Sequence, residues 1–202
     1  MVKLFTTPKS LLTIALSITS FSTTSATPTT TTNEETTENS EFFHTCSSGN
    51  YDKFHTLITT NPSLIHATTQ DGEHCLHLCA ISGSTDIVRT LLERGADPNI
   101  RSTWEKGLRM HPLSWNTFYG RYDIIELLLE AGADIEADFD LGGSVNERTG
   151  ELEKVTVLDV VEMILASSGG GEDEEHRRRF AETRNVLMRY GAVRYATVEP
   201  EL

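Results

Sequence analysis

His74-Cys75-x-His77-x-Cys79 gathers two imidazoles and two thiols within six residues. These are the donors of a soft-metal centre, and Cys75 with Cys79 could equally form a thiol pair open to oxidation. A tetrahedral metal site needs donors that converge. On a helix, positions 75 and 79 share a face while 77 points away. Packing is therefore the expected role of this cluster, and no metal is expected. Cys46 brings the cysteine count to three. An odd, small count is not a disulfide framework, so three small apolar core or surface residues are expected. The sharper alternative is a thiol-based redox factor or enzyme using Cys75 and Cys79, which needs an oxidising compartment.

Other chemistry is sparse. Ser168-Gly169-Gly170-Gly171 is glycine-rich, but no Lys-Ser or Lys-Thr follows it. The acidic run Glu172-Asp173-Glu174-Glu175 comes next and would repel a phosphate, so a flexible linker is expected there. Arg177-Arg178-Arg179 then falls on an expected helix, where pairing with Asp173, Glu174 and Glu175 one turn away is anticipated. No nucleophile elbow, zinc-protease pair or dinucleotide fingerprint is present. The carboxylates are many but scattered, and nothing pairs two of them for acid–base work. The chain is expected to be no enzyme and to use no cofactor.

Thirty acidic residues against seventeen basic ones give a formal charge of −13 over 202 residues. That field repels phosphate backbones and excludes nucleic acid as the natural partner. Basic patches on other proteins suit it better. At the N-terminus, Lys3 and Lys9 precede the apolar run Leu11–Ile18, and Thr24-Ser25-Ala26 supplies small residues for cleavage. This order reads as a secretory signal over 1–26. The run is too short for a membrane span. No acid precedes Glu34 and Ser/Thr abound, so an organellar transit peptide competes, although the leader lacks arginine. The expected destination is the secretory pathway, with secretion, an organelle, or a plastid reached by that route as end points. A cytoplasmic location follows if the leader is not used. Residues 27–39 are Ser/Thr-rich and read as a disordered linker, and 197–202 as a tail.

The elements that must position any working residue come from a repeat. Gly83, Ile87-Val88, Leu91-Leu92 and Gly95-Ala96-Asp97 are answered, 37 residues later, by Gly120, Ile124-Ile125, Leu128-Leu129 and Gly132-Ala133-Asp134. A fixed period of this size means stacked repeats. Within one unit, a helix over about 75–82 stops at Gly83 and a second over about 85–94 stops at Gly95. Ile87, Val88, Leu91 and Leu92 make one apolar stripe, and neither helix is long enough to stand alone.

Gly72-Glu73-His74-Cys75-Leu76-His77-Leu78-Cys79-Ala80 resembles the opening of an ankyrin repeat, with Leu76, His77 and Ala80 on the family's motif and His74-Cys75 in place of its Thr-Pro. Asp86-Ile87-Val88 and Leu91 to Asn99 resemble the remainder. The next unit keeps Pro112 and Leu113 but puts Ser114 where the family has His, and Asn116-Thr117 replace its small pair. Its second half, Asp123 to Asp134, is clear. Degenerate outer units run from Phe42 to Pro62 and from Thr156 to Ala192. The resemblance implies an all-α ankyrin-repeat solenoid of about four helix-turn-helix repeats, near 40–69, 70–106, 107–150 and 151–196. It also implies that His77 ties neighbouring turns together through backbone hydrogen bonds. The long connector 136–155, with Gly142-Gly143 and Asn146 to Gly150, reads as a projecting hairpin or a tolerated insertion.

For function, the resemblance implies a non-catalytic module that binds another protein through its concave face and hairpin tips. Carried over residue by residue, the binding positions are Glu73, Ile81 and Ser82, then Met110, Phe118 and Tyr119, with Ser47 and Ser48 in the first unit. Trp104 in the longer connector extends the patch and Trp115 supports it from below. Aromatic anchors on such a face are typical centres of interface energy. Alternatively, Trp115 and Phe118 simply fill space left by Asn116 and Thr117. Arg101, Arg109 and Arg121 add a local basic spot. The chain is expected to be a monomer, with a purely structural or dimerising role as a further alternative.

Overall fold

Three outer helices end in the same way, and the ending explains the recurring Gly-Ala. Gly95, Gly132 and Gly191 all have φ near +88° to +89°, the left-handed region that glycine enters without steric penalty. After the bend, Ala96, Ala133 and Ala192 donate back to the carbonyls of Leu91, Leu128 and Leu187 at 3.0, 2.9 and 3.0 Å. This is a Schellman-type stop. It closes each helix and turns the chain toward the next tip.

The computed structural model describes residues 33–103, 109–139, 155–167 and 174–194. The helices are α1 (Asn33–Ser48), α2 (Tyr51–Thr60), α3 (Cys75–Ser82), α4 (Thr85–Glu93), α5 (Pro112–Phe118), α6 (Tyr122–Glu130), α7 (Val157–Ser167) and α8 (Glu174–Arg189), with a 3-10 turn at Pro62–His66. The expected helices over 75–82 and 85–94 are therefore observed to within a residue. They stack in chain order. In the inner row α3 lies against α5 and α5 against α7, while in the outer row α2, α4, α6 and α8 follow one another. Each inner helix from α3 onward also packs on the outer helix that follows it.

Sequence dictates which row a helix joins. α4 buries Ile87, Val88 and Leu91 and leaves Asp86, Arg89 and Glu93 exposed, one wet flank and one dry. In α3, Cys75 through Ala80 are all buried, as a helix covered on several sides requires. At its start, the His74 ring accepts from the Leu76 amide at 3.2 Å and the His77 ring accepts from the His74 amide at 2.9 Å. This reciprocal cap uses imidazoles where Ser and Glu usually serve. At its end stands Gly83, with φ +71°. A side chain at Gly83 would also meet the Arg121 guanidinium at 2.8 Å, because that group caps α3 by donating to the Ala80 and Ile81 carbonyls at 2.9 and 2.8 Å.

The tips are tied across repeats. Asn99 donates to the Gly132 carbonyl at 3.0 Å and accepts from the Asp134 amide at 2.7 Å. Gly72 lies so close to Thr103 that an added Cβ would meet its backbone nitrogen at 2.6 Å. In the 136–155 connector, the described feet pair antiparallel: β1 (Asp138–Phe139) lies against β2 (Val155–Thr156), with Asp138 opposite Thr156 and Phe139 opposite Val155. The middle of that connector and residues 168–173, expected to form a flexible linker, lie outside the described residues. On α8, Arg179 sits over the Phe180 ring at 5.5 Å and reaches the His176 ring at 3.3 Å. It does so instead of pairing with Glu175 as the sequence suggested, because Phe180 is buried at the joint with α5–α6 and draws the guanidinium inward.

Candidate binding face

The seventh residues of α3, α5 and α7 are Ile81, Phe118 and Met163, equivalent positions in the inner row. Ile81 is 45% exposed, and Phe118 and Met163 are half-buried. One turn earlier on α5 stands Trp115, also half-buried. Its ring stacks on Tyr119 at 6.2 Å and 25°. Phe118 meets Tyr119 edge-on at 6.0 Å and 78°. Trp115 and Phe118 also pack against the hydrophobic core, so each contributes one flank to the interior and one to the face. Trp115 Nε1 is buried and has no hydrogen-bond partner among the described residues.

The other expected positions divide. Glu73 is half-buried at the tip before α3. Burial, and then the neighbouring Asp71 charge, raises its pKa above the usual carboxylate range. The Tyr119 pKa is raised by burial first, Arg121 opposes the rise, and the Glu73 charge adds to it. Ser82 is half-buried and gives its hydroxyl proton to the Cys46 carbonyl at 2.7 Å, so it links helices more than it faces outward. Ser47 is half-buried and Ser48 exposed. Trp104 lies outside the described residues. Met110 requires a correction: it is 1% exposed and belongs to the core. The His77 ring bonds its carbonyl at 3.1 Å, which draws the residue in against α3, where an unbranched apolar thioether packs well.

The histidine and cysteine cluster is structural. His77 Nδ1 accepts from its own turn and Nε2 donates to the next repeat, the cross-repeat tie that the family resemblance implied. His74 Nε2 meets the Ile65 carbonyl. Burial lowers the pKa of both rings, that of His77 to about 4, which keeps them neutral. Among the described residues, no group of three or more His, Cys, Asp or Glu is placed to hold a metal.

The cysteine expectation also requires correction. Cys46 and Cys75 form a disulfide across 29 residues, and Cys79 is the free, buried thiol. A count of three thus leaves one bridge and one spare. Cys79 Sγ lies 4.0 Å from Cys75 Sγ, and burial pushes the Cys79 pKa up, away from the reactive thiolate. Spacing along the chain did not reveal the bridge. The signal was available in the repeat register, which sets α1 beside α3 and so brings Cys46 next to the start of that helix.

A cleft of about 390 Å³ lies where the α5–α6 turn meets α8. Arg121, Arg178 and Arg179 line it against Asp123, Glu175 and Glu182, so its charges balance and it favours neither sign of ligand. Among the described residues, no helix is long and apolar enough to cross a membrane.

Comparison with known proteins agrees with this architecture. Residues 42–138 match the family model for ankyrin repeats, in three copies. The E3 ubiquitin-protein ligase XB3 of Oryza sativa subsp. japonica is 30% identical over 101 residues, which is 50% of this chain and 22% of that protein. Ankyrin repeat and SAM domain-containing protein 6 of Rattus norvegicus is 28% identical over 125 residues, 57% of this chain and 13% of that one. Transient receptor potential cation channel subfamily V member 5 of Rattus norvegicus is 32% identical over 109 residues, 48% of this chain and 15% of the channel. The chain thus spans about a fifth or less of the length of these curated relatives.

Proposed function

We propose, from the premise that residues 42–138 of this chain belong to the ankyrin repeat family, that the domain binds a protein partner through the inner-row face and acts by binding alone. Ankyrin repeats are a protein–protein interaction module. The observation that carries the choice of face is the run Ile81, Trp115, Phe118 and Tyr119, large apolar and aromatic groups only partly covered. An exposed apolar cluster with a polar rim suits a partner surface. The relatives' own activities belong to proteins several times longer and do not transfer to this chain.

The test is capture of prey by the full chain, compared with a Phe118→Ala/Tyr119→Ala variant. The variant is expected to lose the partner while its circular dichroism is unchanged. If it unfolds, Ile81→Glu, at an exposed position, replaces it. Undiminished capture by a folded variant would sink this choice of face.

A thiol redox role for Cys75 and Cys79 has less support, since Cys75 is bonded to Cys46 and Cys79 is buried. The same bridge favours an oxidising compartment, in keeping with the leader over 1–26. We propose the secretory route as its destination, with the cytoplasm as the alternative if the leader is not used. A fluorescent fusion of residues 1–40 should label that route, and a diffuse cytosolic signal would count against it.

A further inference from the structure

Cys75 Sγ has two sulfur neighbours. It is bonded to Cys46 of α1, and Cys79 Sγ stands 4.0 Å away, one turn along α3. All three residues are fully buried. Residues four apart on a helix share a face and are separated by about 6 Å along its axis, within the span that a disulfide accepts. The same sulfur can therefore be closed onto either partner. The Cys46–Cys75 bond ties two repeats together, whereas a Cys75–Cys79 bond stays inside one helix. A folded α1 favours the first. Phe42 stacks on Phe54 at 5.7 Å, and the Ser82 hydroxyl donates to the Cys46 carbonyl at 2.7 Å. With α1 in place, burial keeps the Cys79 thiol protonated. The hold is slight, because among the described residues α1 buries only Phe42, Thr45 and Cys46. When α1 lifts, the preference reverses. Water reaches Cys79 and lets it ionise, and closing the short Cys75–Cys79 loop costs less chain entropy than closing one of 29 residues. A released Cys46 thiol has an acceptor in its own helix, since the Phe42 carbonyl lies 3.3 Å from its Sγ.

We propose that Cys46, Cys75 and Cys79 form an internal thiol–disulfide switch that frees α1 from α3 once that helix lifts. Cys79 gives its proton to water, and the thiolate attacks Cys75 Sγ. The Cys75–Cys79 bond forms, the Cys46–Cys75 bond breaks, and Cys46 departs as a thiolate that takes up a proton. One disulfide and one thiol stand on each side, so no oxidant or reductant is consumed. The step rearranges bonds within the chain and oxidises no partner, which separates it from the work of a redox factor.

The tryptic sites make the switch readable. Cys46 falls in the peptide that ends at Lys53, and Cys75 and Cys79 share the one that ends at Arg89. The full chain is held in rising urea without added thiol, quenched with acid, alkylated with N-ethylmaleimide and digested. Without urea, the two peptides are expected to be joined and the label to sit on Cys79. In urea that frees α1 while hydrogen exchange still shows α4 and α6 protected, the peptides should separate and the label should move to Cys46. Cys79→Ala should keep them joined at the same urea. Label that stays on Cys79 until α4 and α6 lose protection overturns the proposal. So does label on Cys75, a bond between two chains, or separation of the peptides in folded Cys79→Ala.

Discussion

His77 sits where two repeats share a hydrogen bond, and it works only while neutral. Its Nδ1 accepts and its Nε2 donates, and a second ring proton would have no acceptor. In the folded chain its pKa falls from 6.5 to about 4, first through burial and then through the nearby His74 ring. The unfolded chain therefore takes up the proton first as pH drops. The ring's contribution is complete above the unfolded pKa and is lost between about pH 6.5 and pH 4, amounting to about 3 kcal/mol. Burial lowers the His74 pKa as well, which adds to the loss in the same direction. Urea denaturation should show a midpoint falling steeply over that window. His77→Gln should start less stable at neutral pH and show a shallower fall. A wild-type midpoint that does not move between pH 7 and pH 4.5 would refute this account. The role of His77 was legible because the flanking Leu76 and Ala80 fixed its slot in the repeat. Met110 was misread because the tip register alone does not say that a carbonyl bonded from the previous repeat pulls its side chain inward.

At the scale of elements, α1 and α2 come from a unit whose repeat pattern is degenerate, and the disulfide ties α1 to the start of α3. α1 carries Glu34, Glu35, Glu38 and Glu41, so its apolar stripe is thin. It is held by Phe42 stacked on Phe54 at 5.7 Å, by the Ser82 hydroxyl on the Cys46 carbonyl, and by the Cys46–Cys75 bond. Closing a loop of 29 residues stabilises the fold by up to about 3 to 4 kcal/mol on the chain-entropy account. Cys46→Ala should remove much of that, and the loss should concentrate in this pair. Lys53 is the one tryptic site between Asn33 and His66. Cleavage there should accelerate in the variant well beyond cleavage at Arg89 or Arg189. Equal acceleration at all three sites would mean that the bond stabilises the domain evenly and that no separate capping role exists. Helix boundaries here were readable from Gly83 and Gly95, since a left-handed stop is a local property of the chain. The bridge was not, because it depends on which helices become neighbours.

Among the described residues, the helix pairs stack in chain order, each in contact with its neighbours along the chain. Its stability is therefore a sum of local terms and neighbour interfaces, and the position of a defect matters as much as its size. The weak pattern at Thr156–Val161 pointed to a last pair beyond the family match. The structure places α7 against α5 and α8 against α6, so this pair extends the stack. Two equal truncations distinguish centre from end. Leu91 in α4 and Leu187 in α8 are both fully buried, and each change to Ala costs about 2 to 5 kcal/mol at its own site. Leu91 lies between outer-row neighbours on both sides, so Leu91→Ala weakens two interfaces and should lower hydrogen-exchange protection in α3 through α6 together. Among the described residues, Leu187 has a packed helix pair on one side only. Leu187→Ala should release α7–α8 early and leave protection in α3 and α4 near the wild-type level. Matching protection maps for the two variants would mean that the chain unfolds as a single indivisible block, and the picture of independent neighbour interfaces would fail with it.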